Sequence, residues 1–210
     1  MSIICPTITA ENTHVYREQI ERVQSFAPRI HIDLMDGMYT KNKSISLNQV
    51  WWPENITADI HLMYQNPITE IESLVKLRPG LVTIHLTDEV DVAAIAEVLH
   101  TNSIRCGLVL MPDTTVASMK GYLHLVDQVL IFSGNLGHQG GSTADLTLLS
   151  RVEELLELAP SLEVAWDGGV NAANIKQISD AGVTIINTGG FVQSAVDPRA
   201  AYDSLVSALK

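Results

Sequence analysis

The sequence predicts a closed (β/α)8 TIM barrel, and three observations carry that prediction. Eight short apolar runs recur at fairly even spacing along the 210 residues. Segments with apolar residues at helical spacing separate most of them. Most of the runs are continuously apolar rather than alternating, which marks strands covered on both faces, as in a parallel sheet. An open doubly wound sheet is the main rival. Eight repeats, and no GxGxxG after the first run, favour the barrel.

The first run is IICPTI (3–8), followed by the amphipathic segment HVYREQIERVQSF (14–26). RIHIDLM (29–35) comes second. Its successor SLNQVWWP (46–53) reads as a short helix that stops at Pro53, with Trp51 and Trp52 packed beneath it. TADIHLM (57–63) and LVTIHLT (81–87) are the third and fourth runs. DVAAIAEVLH (91–100) opens on the capping residue Asp91 and leads to RCGLVLM (105–111). TVASMKGYLHLV (115–126) takes Thr114 or Thr115 as its cap and leads to QVLIFSG (128–134). ADLTLLSRVEELLELA (144–159), capped by Thr143, precedes LEVAWDG (162–168). AANIKQISDAG (172–182), capped by Asn171, precedes VTIINTG (183–189). In the last helix, DPRAAYDSLVSALK (197–210), Asp197 and Pro198 suit the N-cap and N1 positions. No linker or low-complexity tract interrupts the pattern, so residues 1–210 read as one domain.

The composition is that of a soluble globular chain, 46% hydrophobic and 18% charged. A net charge of −11 argues against a nucleic-acid or anionic-membrane surface. It does not argue against a small anionic substrate. No apolar run is long enough to span a bilayer, and the first residues do not resemble a signal peptide, so a cytoplasmic location is expected. Cys5 and Cys106 lie in apolar runs and read as small core residues of a reducing compartment.

Four polar residues stand out near strand ends: His31 and Asp33 on the second strand, His61 on the third, and Asp167 on the seventh. Residues i and i+2 of a strand share a side, so His31 and Asp33 project together. Barrels of this kind carry their active sites at the carboxyl ends of the strands, where all four converge. Two imidazoles and two carboxylates suit a divalent metal, and paired carboxylates suit proton shuttling. Asp36 falls on the other face and reads as a turn residue. His85 ends the fourth strand in a similar way, either as a neighbour of the site or as a satisfied core-edge residue. His14, His100 and His124 read as surface residues. Met35, Met63 and Met111 face inward and would floor the site with apolar surface.

Glycines punctuate the ends of strands six, seven and eight: SGNLGHQGGS (133–142), DGGV (167–170) and NTGGF (187–191). Backbone N–H groups of Gly137, Gly140, Gly168, Gly169, Gly189 and Gly190 would then be free to approach a phosphate closely. The alternative is ordinary tight turns.

HIDLMDG (31–37), DIHLM (59–63), SGNLGHQGG (133–141), WDGGVN (166–171) and NTGG (187–190) resemble the signatures of ribulose-phosphate 3-epimerases, in order and spacing along almost the whole chain. CPTIT (5–9) resembles that family's first strand, with Thr7 where serine is usual. GLVLMPDTTV (107–116) resembles its fifth, with Met111 for asparagine. The resemblance implies a barrel of the ribulose-phosphate-binding type that interconverts D-ribulose 5-phosphate and D-xylulose 5-phosphate. It implies one divalent metal (zinc, iron, manganese or cobalt) on His31, Asp33, His61 and Asp167, with the two aspartates as acid/base groups. Thr7, Met35, Met63, His61 and the glycine loops, with His138 and Gln139, would contact substrate; a homo-oligomer is compatible. The sequence departs from the family at Met38 to Asn42, at Leu136 to Gly141 and at Gly190, all parts of the substrate grip. Those departures leave open another phosphorylated ketose, such as a hexulose 6-phosphate. A sugar-phosphate-binding barrel without activity is a further alternative. Related decarboxylating barrels add a lysine, and no Lys lies inside these strand ends.

Overall fold

The computed structural model describes residues 2–210. The strands are β1 (Ile3–Thr9), β2 (Arg29–Met35), β3 (Thr57–Met63), β4 (Leu81–His85), β5 (Arg105–Leu110), β6 (Gln128–Phe132), β7 (Glu163–Asp167) and β8 (Ile185–Thr188). All pair in parallel in chain order, and β8 returns to β1, so the barrel is closed. Closure leaves every strand buried on both faces, which is why the runs read as continuously apolar. One set of alternate residues, including Ile8, Ile32, Leu34, Ile60 and Leu62, joins the large core beneath the helices. The other set forms a small inner core of Cys5, Val109, Leu130, Phe132, Ala165 and Ile185.

The outer layer comprises α1 (Thr13–Val23), α2 (Ile71–Leu77), α3 (Val92–Thr101), α4 (Val116–Met119), α5 (Ser150–Leu158), α6 (Ile175–Asp180), α7 (Gly190–Gln193) and α8 (Pro198–Ala208). Asp91 and Asp197 cap α3 and α8 as expected, accepting from the backbone N–H of Ala94 and Ala200. Other helical expectations need correction. Residues 46–53 hold only the 3-10 turn Leu47–Gln49, and Trp51 is 42% exposed with its ring T-shaped to that of Tyr16. Thr143 is not a cap; Asp145 caps the 3-10 turn Leu146–Leu149 that leads into α5. The 115–126 segment is split by Gly121 into α4 and the 3-10 turn Leu123–Leu125, because glycine weakens a helix interior. Asn171 makes a turn ahead of α6 and does not cap it. The sequence pattern predicts neither α2 nor α7. Each buries only one or two side chains, too few for a visible helical period.

The amino-terminal end of the barrel is closed by charge. Arg29 donates to Asp59 Oδ2 at 2.7 Å and to Glu163 Oε1 at 3.0 Å. Gln128 donates to Glu163 at 2.7 Å, and Arg105 pairs with it as well. Burial pushes the Asp59 carboxyl up despite Arg29. Burial also raises Glu163, but the Arg29 and Arg105 hydrogen bonds outweigh it and hold the group below its ordinary value. Arg29→Met removes the one cation shared by both acids and should cost about 3–5 kcal/mol of unfolding free energy in urea titration. A loss under about 1 kcal/mol would contradict this reading of the network.

Candidate metal and acid–base site

The functional side chains sit where strand parity and register put them. Cα register pairs Thr9 with Asp33, Asp33 with His61, and Asp167 with Asn187. His31 and Asp33 therefore face inward beside His61 at the carboxyl end of the barrel. Asp167, at the end of β7, reaches across β8 and β1 to meet them.

One ligand atom from each of His31, Asp33, His61 and Asp167 lies within 4.8 Å of every other. Asp33 Oδ1 is 3.0 Å from His61 Nδ1 and 3.2 Å from His31 Nε2, and Asp167 Oδ2 is 3.6 Å from His31 Nε2. The group is able to hold a metal ion. Its fit is visible at His31 Nε2, a buried atom that faces two carboxylates yet makes no hydrogen bond. A nitrogen aimed at shared carboxylate oxygens without bonding either is what a cation between them requires.

Further residues hold these four in place. Thr9 Oγ1 donates to Asp33 Oδ2 at 2.7 Å. His85 Nε2 lies 2.8 Å from His61 Nε2, so His85 is a neighbour of the site rather than a core-edge residue. The Tyr39 ring packs on His85 at 4.6 Å between centroids. Asn187 Nδ2 lies 3.1 Å from His31 Nδ1. Sequence reading missed Thr9 and Asn187. Their inward parity near strand ends was the available signal, but polar type alone does not mark a partner.

The electrostatics separate the two carboxylates. Burial alone raises Asp33, but the His31 and His61 imidazoles 3.2 and 3.0 Å from Oδ1 hold it well below the usual carboxylate range. Asp167 is pushed up by burial and by the Asp33 charge. Burial lowers His31 less than the surrounding carboxylates, Asp33 first, raise it. Burial, then the nearby His61, drives His85 well below its ordinary value, so it stays neutral. Burial pushes the thiol of Cys106 up to about 12 and that of Cys5 well above its ordinary value, so neither is a nucleophile.

A cavity of about 240 Å³ opens above Asp33 and Asp167. Thr7, Met63, Gly137, His138, Gln139, Gly140, Gly168, Gly169, Gly189 and Gly190 line it, as does Asn187. Met35 does not line it; the side chain is buried, near the loop at Gly137. His31 and His61 are buried below the cavity, 2% and 0% exposed. His138 is exposed, like His14, His100 and His124. Gln139 donates to Thr7 O at 2.9 Å and accepts from Gln19 at 3.0 Å, which ties the loop after β6 to β1 and α1.

The glycines have a packing reason as well. Gly168 has φ +116°, and a Cβ there would lie 2.3 Å from Gly134 N. A Cβ on Gly190 would lie 2.9 Å from Gly140 Cα. The loops after β6, β7 and β8 thus touch backbone to backbone around the cavity. Asp36 is the turn residue expected, accepting from the N–H groups of Met38, Tyr39 and Gln65.

Comparison with known proteins agrees with this geometry. The family profile described as "Ribulose-phosphate 3 epimerase family" matches residues 3–193. A Helicobacter pylori ribulose-phosphate 3-epimerase is 31% identical over 211 residues, covering 98% of this chain and 96% of that protein. An Aquifex aeolicus ribulose-phosphate 3-epimerase is 25% identical, covering 99% and 96%. Among solved structures, a 3-hexulose-6-phosphate synthase superposes with TM-score 0.76 at 19% identity, covering 99% of this chain and all of the other. Phosphoribosyl anthranilate isomerase from Thermus thermophilus gives 0.69 at 12%, covering 98% of each. Those two likenesses speak for the barrel alone. The match along nearly the whole length, together with the two histidines and two aspartates at one rim, leads to one conclusion: this chain belongs to the ribulose-phosphate 3-epimerase family.

Proposed function

We propose that the protein interconverts D-ribulose 5-phosphate and D-xylulose 5-phosphate by moving a proton at C3. The observation that carries this reading is the pair Asp33 and Asp167 in one cavity, with environments that push their acidities apart. In one direction of turnover Asp33, held ionised by two histidines, takes the C3 proton from one face. Asp167, the more basic carboxyl, delivers a proton to the opposite face and C3 inverts. In the reverse direction the roles exchange. Two opposed groups make it unnecessary to turn the substrate over between the two transfers.

His31, Asp33, His61 and Asp167 would hold one divalent ion, of zinc, iron, manganese or cobalt. Such an ion supplies Lewis-acid polarisation of the ketone next to C3. Thr9, His85 and Asn187 orient the donor atoms of the set. The glycine-rich end of the cavity, with backbone N–H groups of the loops after β6, β7 and β8, would receive the phosphate. Thr7, Met63, His138 and Gln139 would border the sugar, with Met35 supporting the loop beneath. All these residues come from one chain, an arrangement with which a homo-oligomer is compatible. No helix among the described residues is long and apolar enough to cross a membrane.

A specific observation favours a second substrate for the same chemistry. The parts that differ from the family pattern, Met38 to Asn42, Leu136 to Gly141 and Gly190, lie after β2, β6 and β8, and Gly137 to Gly141 and Gly190 line the cavity, while the four-residue set is intact. A ketose with one more carbon, a hexulose 6-phosphate, fits that distribution. After metal analysis, kcat/KM should be measured on pentulose and hexulose phosphates and on unphosphorylated ribulose. The proposal expects ribulose 5-phosphate to lead and the unphosphorylated sugar to fall far behind, because remote binding energy positions the reacting carbon. A leading hexulose phosphate would move the assignment to the second reading. Equal values for phosphorylated and free ribulose would remove the phosphate grip.

A further inference from the structure

Asn187 has no counterpart in the sequence-based site, yet it touches the set at its most sensitive point. Its side chain is 2% exposed, and its Nδ2 lies 3.1 Å from His31 Nδ1, itself on a 2% exposed residue. Two unsatisfied atoms accompany this contact. Asn187 Oδ1 has no hydrogen-bond partner, and neither has His31 Nε2. With Nδ2 toward the ring, His31 Nδ1 must accept, and a neutral imidazole then carries its proton on Nε2. That proton would occupy the lone pair a cation needs.

The oxygen and nitrogen of a side-chain amide have nearly the same shape, and their placement follows from the hydrogen-bond network. A half-turn of the Asn187 amide puts Oδ1 against Nδ1. Nδ1 then donates to Oδ1, Nδ2 takes the unpartnered place that Oδ1 had, and the Nε2 lone pair is left on the side of Asp33 and Asp167, where a cation would lie. Metal-ligating histidines fix their tautomer in this way, by giving the remote N–H to a carbonyl or carboxylate.

We propose that Asn187 is a positioning residue: through Oδ1 it holds His31 as the Nδ1–H tautomer and so prepares Nε2 to bind the metal. Asn187 does not take part in proton transfer at C3. The inference rests on the metal reading proposed above for His31, Asp33, His61 and Asp167.

Metal affinity provides the test, measured by titrating the metal-free protein with Co(II) and following its visible absorption. Asn187→Leu removes the acceptor at similar size and should weaken Co(II) binding about 10–100-fold. Asn187→Asp keeps an oxygen toward Nδ1 and should bind within a few-fold of the wild type or more tightly. A merely structural role would lower the Tm of both metal-free variants and leave Co(II) affinity alone. Nitrogen-15 NMR of the wild type loaded with Zn(II) gives a second readout that needs no variant. It should show His31 protonated at Nδ1 and ligating through Nε2. Wild-type Co(II) affinity in Asn187→Leu, or a proton on Nε2 in the zinc-loaded protein, would overturn the role of Asn187 alone. A wild-type protein that binds no Co(II) would overturn the metal reading and this inference with it.

Discussion

Asp167→Asn should lower kcat by about 10²–10⁴-fold, because the amide keeps the shape of the side chain and removes a proton-carrying group. Asp167 sits at the end of β7 with its acidity weakened by burial and by Asp33, which suits it to hold a proton between turnovers. The loss can exceed that range, since Asp167 is also within reach of the shared cation position, so metal content must be measured for the same sample. Heavy water gives the sharper reading. With two opposed carboxylates the C3 hydrogen that leaves is not the one that returns, and the product should carry solvent deuterium at C3. Product that fully retains the original hydrogen would point to one-base or hydride chemistry. Wild-type turnover by the Asp167→Asn variant would take the second group out of the scheme, and the assignment as an epimerase would lose its mechanistic basis.

Removing a histidine should act first on metal. His31→Ala and His61→Ala each delete one of the four converging donors. Metal affinity should fall by more than the roughly 10–100-fold that loss of an outer partner costs, and activity should fall with it. The two variants should differ in stability. His61 is fully buried and contacts both Asp33 and His85, so its removal also leaves a cavity and an unpaired ring. Thermal unfolding of the metal-free proteins should therefore rank His61→Ala below His31→Ala. Full metal content in both variants would show that these donors are not the ligands.

The amino-acid sequence by itself determined the barrel and marked the polar residues at its rim. Eight doubly buried strands leave a long-lived trace, because each run must be apolar on both faces. The period of two then assigns inward sides, and the polar exceptions at His31, Asp33, His61 and Asp167 are visible against that background. Motifs with fixed spacing, such as HIDLMDG and WDGGV, added the family. Short elements were hidden, since α2 and α7 bury one or two side chains and the 3-10 turn at Leu47–Gln49 ends before any period is established.

Only the tertiary structure decided which polar residues act together. That Asp167 comes within 3.6 Å of His31 depends on closure of β8 onto β1, a contact between chain ends that no local pattern encodes. The same holds for Asn187 against His31 and His85 against His61, whose partners are separated by 156 and 24 residues. The glycines show the division most clearly. Their clustering was legible, but their reason was not: at Gly168 and Gly190 the space for a Cβ is taken by the backbone of a neighbouring loop, and only packing of the three loops reveals it. Local composition reports what each residue prefers; the site is made by distances between residues far apart in the chain, and those are set by how the barrel closes.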